Sequence, residues 1–194
     1  MLSRIRRLIE PLTLKIGMWL GSYGAEPNIL TLVGLLLSIT VPIFAYYSLL
    51  TISLILVILS ALFDYLDGAV AKALNKRSSF GAFLDSFSDR VSDFCYSIAL
   101  WLAGINALYI MIYITTSYLI SYIRARAEAL GIRLEGVGIM ERGERVIITI
   151  AVYAVIILTE SATIPTYIIV VMIFLNLVTI IQRIYHTYRG LSKK

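Results

Sequence analysis

Only one cysteine, Cys95, occurs among 194 residues, so no intrachain disulfide can brace this fold. A single thiol of this kind reads as a small buried hydrophobe. Histidine is also reduced to one residue, His186, and neither it nor the five methionines and thirteen tyrosines form a pattern that calls for chemistry. Charge is scarce too. Asp, Glu, Lys and Arg together make up 15% of the chain, against 59% hydrophobic residues and a mean hydropathy of +0.87. That balance excludes a soluble domain carrying an anchor and points to one membrane domain. The chain has no internal repeat, no low-complexity stretch and no separate soluble segment. Its start, MLSRIRRLIEPLTLKIGMWL, lacks the small-residue cleavage site of a signal peptide.

What is present is a succession of apolar runs near the 20 or so residues that a bilayer requires. The first runs from Asn28 to about Leu49 behind Pro27, the second from Leu50 to Leu74, and the third from Ser79 to Ala103. The fourth starts near Leu108 and ends in SYIRARAEALGIRLEG, the fifth starts near Met140, and the sixth runs from Pro165 to about Tyr188. Before them, Leu2, Ile5, Leu8, Ile9, Leu12, Ile16, Trp19 and Leu20 share one helical face, with Arg4, Arg6, Arg7, Glu10 and Lys15 off it. The expectation is therefore an all-α integral membrane protein. An interfacial amphipathic helix over 1–23, bent or divided at Pro11, precedes a single transmembrane domain of six helices over 24–194. Tyr46, Tyr47, Tyr185 and Tyr188 suit interfacial belts.

A net charge of +5 is compatible with nucleic-acid binding, but its distribution argues for topology instead. Four basic residues precede the first span, four lie from Lys72 to Arg90, five from Arg124 to Arg145 and four after Ile181. With six spans all of them fall on one side. Both termini, the polar break and acids of the 64–90 stretch and the Arg124–Arg145 connection are then expected on the cytoplasmic side of the cell membrane.

The stretch DYLDGAVAKALNKRSSFGAFLDSFSD, Asp64 to Asp89, places four carboxylates in this apolar setting. Asp64 and Asp67 are three residues apart on a helix and share a face. Gly68 and Ala71 continue that face with almost no side chain, which admits a close ligand or backbone, and Lys72 adds a cation. After a polar break, Gly81, Asp85 and Asp89 follow at i, i+4 spacing, with Asp93 one turn on. Solvated charges at helix ends would be the plain alternative. They would not explain acids paired with glycines at fixed offsets on two successive helices. Packed as an antiparallel pair, the helices would bring four carboxylates to one cavity. That is a donor set for hard cations such as Mg²⁺, Mn²⁺ or Ca²⁺. Two ions about 4 Å apart would clamp a phosphoryl group for in-line displacement.

This stretch resembles the signature of the CDP-alcohol phosphotransferases, D-x2-D-G-x2-A-R-x8-G-x3-D-x3-D. It matches at Asp64, Asp67, Gly68, Ala71, Gly81, Asp85 and Asp89 with every spacing kept; Lys72 stands where the family has arginine. Lysine keeps the charge and loses the bidentate fork. The resemblance implies a membrane transferase with Mg²⁺ or Mn²⁺, in two-ion form, held by Asp64, Asp67, Asp85 and Asp89. Asp89, last in the row, is the candidate general base. It further implies CDP contacts from Asn28, Thr31, Gly68, Ala71, Lys72 and Gly81, and a homodimer. From the residues alone, Asn28 and Thr31 serve equally well as caps or as hydrogen bonds back to their own helix.

A second constellation lies in the fourth-to-fifth connection and at the end of the sixth span: Ser121, Arg124, Arg126, Arg142, Arg145 and Arg183. Guanidinium groups gathered near a membrane surface suit a phosphate monoester, although topology alone accounts equally well for Arg133 and Arg142. The motifs S-x2-R-x-R-A-E-A and E-R-x-E-R resemble those of family members that transfer to inositol phosphate. The expected reaction is thus transfer of lipid phosphate from a CDP-lipid to a phosphorylated polyol, with release of CMP. Two other readings remain open at this point. One has the same chemistry with glycerol phosphate or another alcohol as acceptor; the other is a cation transporter whose intramembrane acids form a path.

Overall fold

A chain this apolar must satisfy its backbone polar groups internally, and a helix does so within one segment. The computed structural model describes residues 2–192, with side chains from residue 11 onward; all regular elements in that range are helices. They are α1 (Leu2–Ser22), α2 (Pro27–Tyr46), α3 (Leu50–Ala73), α4 (Ser79–Leu102), α5 (Ala107–Ala129), α6 (Arg142–Thr159) and α7 (Thr163–Leu191). Met1, Lys193, Lys194 and the side chains of residues 2–10, which carry much of the expected amphipathic pattern, lie outside the described residues.

Two prolines bear on where the helices begin and end. Pro11 does not divide α1, which continues through it, because the fixed proline φ is already helical and only one intrahelical bond is lost. Pro165 does not open α7, which begins at Thr163, since a missing N–H is harmless in the first turn. Of the seven helices, α2, α3 and α7 are long and apolar enough to cross a membrane. The others carry more charge: α4 contains Asp85, Asp89, Arg90 and Asp93, and α6 opens on Arg142, Glu144 and Arg145.

The helices group into two compact units, Met1–Ala103 and Gly104–Lys194. In the first, α2 packs along both α3 and α4, while α3 and α4 meet each other only briefly. The antiparallel pairing expected for the two acid-bearing helices is therefore mediated by α2. Its buried face reads Thr31, Gly34, Ser38, Val41, Ala45, a row of mostly small residues at alternating spacings of three and four. Small residues let backbones come close where lipid supplies no hydrophobic drive between helices. A Cβ on Gly34 would lie 3.2 Å from the Ser60 carbonyl oxygen. Polar ties replace the missing apolar gain: Ser60 Oγ donates to the Gly34 carbonyl at 2.6 Å, and Tyr96 Oη of α4 donates to Ser60 Oγ at 2.8 Å.

In the second unit α7 lies against α5 and α6 and buries Pro165, Ile169, Met172, Asn176, Thr179 and Arg183 along one face. Asn176 is fully buried, and its Nδ2 donates to Thr116 Oγ1 and Ser117 Oγ of α5, both at 3.1 Å. The α5–α6 connection folds over the end of this unit through Ile132 and Leu134, which pack on Ala127. Gly138 sits at φ +114°, and a Cβ there would lie 2.4 Å from Thr179 Cγ2, so only glycine passes at that point.

On the outer side of α3, α1 approaches through Gly17, where a Cβ would lie 2.5 Å from the Ala69 carbonyl oxygen and 2.9 Å from Ala73 Cβ. Gly17→Ala should therefore push α1 off α3 and lower stability by about 1 to 3 kcal/mol, the usual cost of overpacking. Melting of the detergent-solubilised protein checks this. Gly68→Ala, whose Cβ would meet nothing within 4 Å, serves as the control and should melt as the parent does.

Candidate active site

The acids of the signature are carried by the C-terminal half of α3 and the N-terminal half of α4. The α3 helix carries Asp64 and Asp67 in its last three turns, and α4 carries Asp85 in its second. The α4 N-terminus is fixed by Ser78, whose Oγ accepts from the Gly81 amide at 2.9 Å. Ligand oxygens of Asp64, Asp67 and Asp85 lie within 4.8 Å of one another. Asp67 is buried, at 5% exposure, while its two neighbours are half-buried. Three carboxylates at such range repel each other strongly in a low-dielectric setting unless positive charge stands among them. The donor set is all oxygen, which fits Mg²⁺ or Mn²⁺ in charge and hardness.

Asp89 is not one of these three. It lies one turn beyond Asp85, and its Oδ2 accepts from Arg90 Nη1 at 3.2 Å, while the same Nη1 donates to the Ser86 carbonyl at 2.8 Å. Asp93 is half-buried a further turn along. Gly68 faces open space beside Asp67, as a surface for a close ligand requires. Ala71 and Lys72 are half-buried in the last turn of α3.

Thr31 and Asn28 come from the first turn and a half of α2 and are used differently. Thr31 is buried and donates its hydroxyl to Asp67 Oδ2, with the Pro27 carbonyl oxygen 3.1 Å from Thr31 Oγ1. Asn28 reaches towards Gly81: its Oδ1 would lie 3.1 Å from a Cβ at that position, so Gly81 makes room for it. Asn28 also lines an open polar cavity with Glu26, Pro27 and Lys76. From the sequence, Glu26 reads only as an acid suited to the dipole at the start of α2, and Lys76 carries no individual signal. Their signal was available in the short polar breaks that flank α2 and α3, where residues at helix ends converge.

The second constellation divides by burial. Arg145 and Arg183 are only 2% and 3% exposed, whereas Arg142 and Arg124 are half-buried and Arg126 is exposed. Arg183 Nε donates to the Val137 carbonyl at 2.9 Å and Nη1 to the Ile120 carbonyl at 2.7 Å; Nη2 lies 4.0 Å from Glu141 Oε1. Arg145 Nη1 donates to the Met140 carbonyl at 3.3 Å, and Arg124 Nε pairs with Glu128 Oε1 at 2.9 Å. Ser121 Oγ turns back to the Ser117 carbonyl at 3.3 Å. Two of the arginines thus hold the α5–α6 connection in shape through its backbone. A guanidinium has five donors, so such a role is compatible with facing an anion as well.

Comparison with known proteins accords with this geometry. The family profile for CDP-alcohol phosphatidyltransferase matches residues 25–189. The chain is 36% identical to the archaetidylinositol phosphate synthase of Pyrococcus horikoshii over 99% of both chains. It is also 36% identical to the enzyme of that name from Aeropyrum pernix, over 79% of each. Among solved structures, the phosphatidylinositol phosphate synthase of Mycobacterium tuberculosis with CDP-DAG bound superposes with a TM-score of 0.78 at 29% identity, covering 92% of this chain and 94% of that one. The same enzyme in complex with manganese and citrate gives a TM-score of 0.78 at 30% identity, covering 91% and 88%. The match spans nearly the whole chain and includes the three clustered aspartates, and the protein belongs to the CDP-alcohol phosphatidyltransferase family.

Proposed function

We propose that this protein transfers the lipid-phosphate group of a CDP-lipid, CDP-diacylglycerol or CDP-archaeol, to inositol phosphate and releases CMP. The observation that carries the proposal is the convergence of Asp64, Asp67 and Asp85 in a chain whose relatives include archaetidylinositol phosphate synthases and a phosphatidylinositol phosphate synthase. A hydroxyl of the acceptor attacks the lipid-side phosphorus, the pyrophosphate P–O bond breaks, and CMP leaves. Asp89 takes the hydroxyl proton. Its position one turn from Asp85 on the same helix supports that role, since a general base has to stand beside the reacting group.

Asp64, Asp67 and Asp85, with Asp89, would hold Mg²⁺ or Mn²⁺, two ions in the proposed form. When bound, the cations neutralise charge that develops on the pyrophosphate. Asn28, Gly68, Ala71, Lys72 and Gly81 form the donor surface: the glycines admit the nucleotide closely, and Lys72 offers a point charge to phosphate. Ser121, Arg124, Arg126, Arg142, Arg145 and Arg183 bind the phosphate of the acceptor. Arginine forks and phosphate oxygens make charge-assisted pairs, which favours a phosphorylated polyol over a neutral one.

The proposed setting is the cell membrane, with six spans, α2 to α7, and α1 lying at the interface. Leu12, Met18 and Trp19 stand exposed on α1, as a helix resting on lipid requires. The grouping of basic residues supports cytoplasmic termini and a cytoplasmic active site. Residues 24–194 act as one catalytic domain, a reading supported by a family match that runs through both compact units, and the working form is a homodimer.

Release of CMP from a CDP-lipid is the direct test. We expect it to require inositol phosphate and a divalent ion, with free inositol and glycerol phosphate giving little. Preference for glycerol phosphate would move the acceptor assignment, and ion flux without CMP would make the protein a transporter. Asp64→Asn, Asp67→Asn and Asp85→Asn should each abolish divalent-dependent turnover; activity retained in any two would sink the metal site. For Asp89→Asn, donor binding should survive while turnover falls by about 10²-fold or more, the scale of general-base catalysis. Near-parental turnover would remove Asp89 from that role. Arg124→Ala should raise the acceptor KM by roughly tenfold to a hundredfold, as loss of one charge-assisted contact implies, and leave the donor KM in place.

A further inference from the structure

The family resemblance implies a CDP contact for Thr31, and within the fold its hydroxyl has a partner of its own. Thr31 stands on α2, the helix that lies against both acid-bearing helices, and its hydroxyl is turned away from solvent onto Asp67. Both side chains are 5% exposed, which leaves Thr31 almost no surface to offer a nucleotide. The hydroxyl has one proton and two nearby acceptors, the Pro27 carbonyl and the Asp67 carboxylate. An ionised carboxylate is the stronger acceptor of the two, so the proton goes to Asp67 Oδ2.

We infer that Thr31 is a positioning residue for Asp67, holding from α2 the orientation of the buried carboxylate in the proposed divalent-cation site. The inference rests on the function proposed above. Asp67 is the most buried of the three clustered acids and has the least access to water as an alternative partner. With Oδ2 bonded to Thr31, rotation of the carboxylate about Cβ–Cγ is restricted. The oxygens then keep their distance to those of Asp64 and Asp85 before any ion arrives. Partners that orient a metal-binding carboxylate contribute to affinity without touching the ion, and their loss weakens binding by about 10- to 100-fold. Thr31 itself is fixed by the start of α2, where Pro27 occupies the first helical position and the β-branched side chain has few rotamers. The register of α2 against α3 therefore sets how well the acids are arranged. A shift of that helix would be felt as weaker cation binding.

The test is Mn²⁺ affinity of the full-length protein in detergent, read by electron paramagnetic resonance with no substrate present. Thr31→Val keeps the shape and removes the hydroxyl; Thr31→Ser keeps the hydroxyl. We expect Thr31→Val to bind Mn²⁺ about 10- to 100-fold more weakly and Thr31→Ser to bind as the parent does. At saturating Mn²⁺ the KM for the CDP-lipid should be unchanged in both. If Thr31→Val does not yield folded protein, Thr31→Ala takes its place, and Thr31→Ser remains the discriminating variant. Unchanged Mn²⁺ affinity in a folded variant lacking the hydroxyl overturns the inference. So does a rise in donor KM with Mn²⁺ affinity intact, which would return Thr31 to the nucleotide. Should the parent itself bind no Mn²⁺ that Asp64→Asn and Asp85→Asn remove, the cation site proposed above fails, and the inference with it.

Discussion

Close approach of α2 to two neighbours is the constraint on which the first unit depends. Lipid gives helices no hydrophobic reason to associate, so contact has to come from backbones near enough for dispersion and for side-chain-to-backbone hydrogen bonds. Gly34 and Ser38 permit that distance, and Ser60 and Tyr96 exploit it with a chain of bonds from α4 through α3 to α2. The same surface, a turn closer to the start of α2, delivers Thr31 to Asp67. Packing and chemistry are in this sense one interface. Whatever holds α2 in register also holds the carboxylate.

The second unit solves a related problem with different residues. A connection such as 130–141 has backbone groups that no helix satisfies, and leaving them bare beside an apolar bundle would be costly. Arg183 and Arg145 supply donors to Val137, Ile120 and Met140, and Thr179 accepts from the Met140 amide at 3.0 Å. Arginine is suited to this because its charge does not switch off on burial and its fork can address two carbonyls at once. The loop is consequently ordered by the residues that are proposed to meet the acceptor.

Much of this was legible in the sequence. Hydropathy located the helices to within about a turn, the usual accuracy for helix ends, and the signature spacing placed Asp64, Asp67 and Asp85 together. Periodicity reports which residues share a face and not what the face meets. For that reason α2 was not seen as the helix between α3 and α4, although the row Thr31, Gly34, Ser38 already marked it as a close-packing surface. Thr31 is open to the same ambiguity: a hydroxyl near a helix start fits a cap, a bond within the protein or a nucleotide contact until its neighbour is known. Pro165 stands in the first turn of α7, where a missing N–H has no partner to lose, whereas Pro11 gives up one bond in the middle of α1, which continues through it. The bonds that Arg183 makes to Val137 and Ile120 left no trace in sequence, since these acceptors are backbone carbonyls distant along the chain.

Lys72 becomes intelligible in this light. Between Arg90 and Ser192 every basic residue is arginine, whereas lysine stands at position 72 beside the acids and at position 76 by the cavity at the start of α2. Where carboxylates gather divalent cations, those cations carry the main burden of neutralising a pyrophosphate, and a compact ammonium is enough as a supplement. Around the α5–α6 connection no carboxylate cluster is found among the described residues, so recognition of a phosphate there would fall to nitrogen donors alone. That task needs planar forks with bidentate geometry. On the proposed reading, the exchange of arginine for lysine is thus tolerable at position 72, beside the proposed metal ligands, while the same exchange at Arg124 or Arg145 would remove the fork that the proposed acceptor site requires.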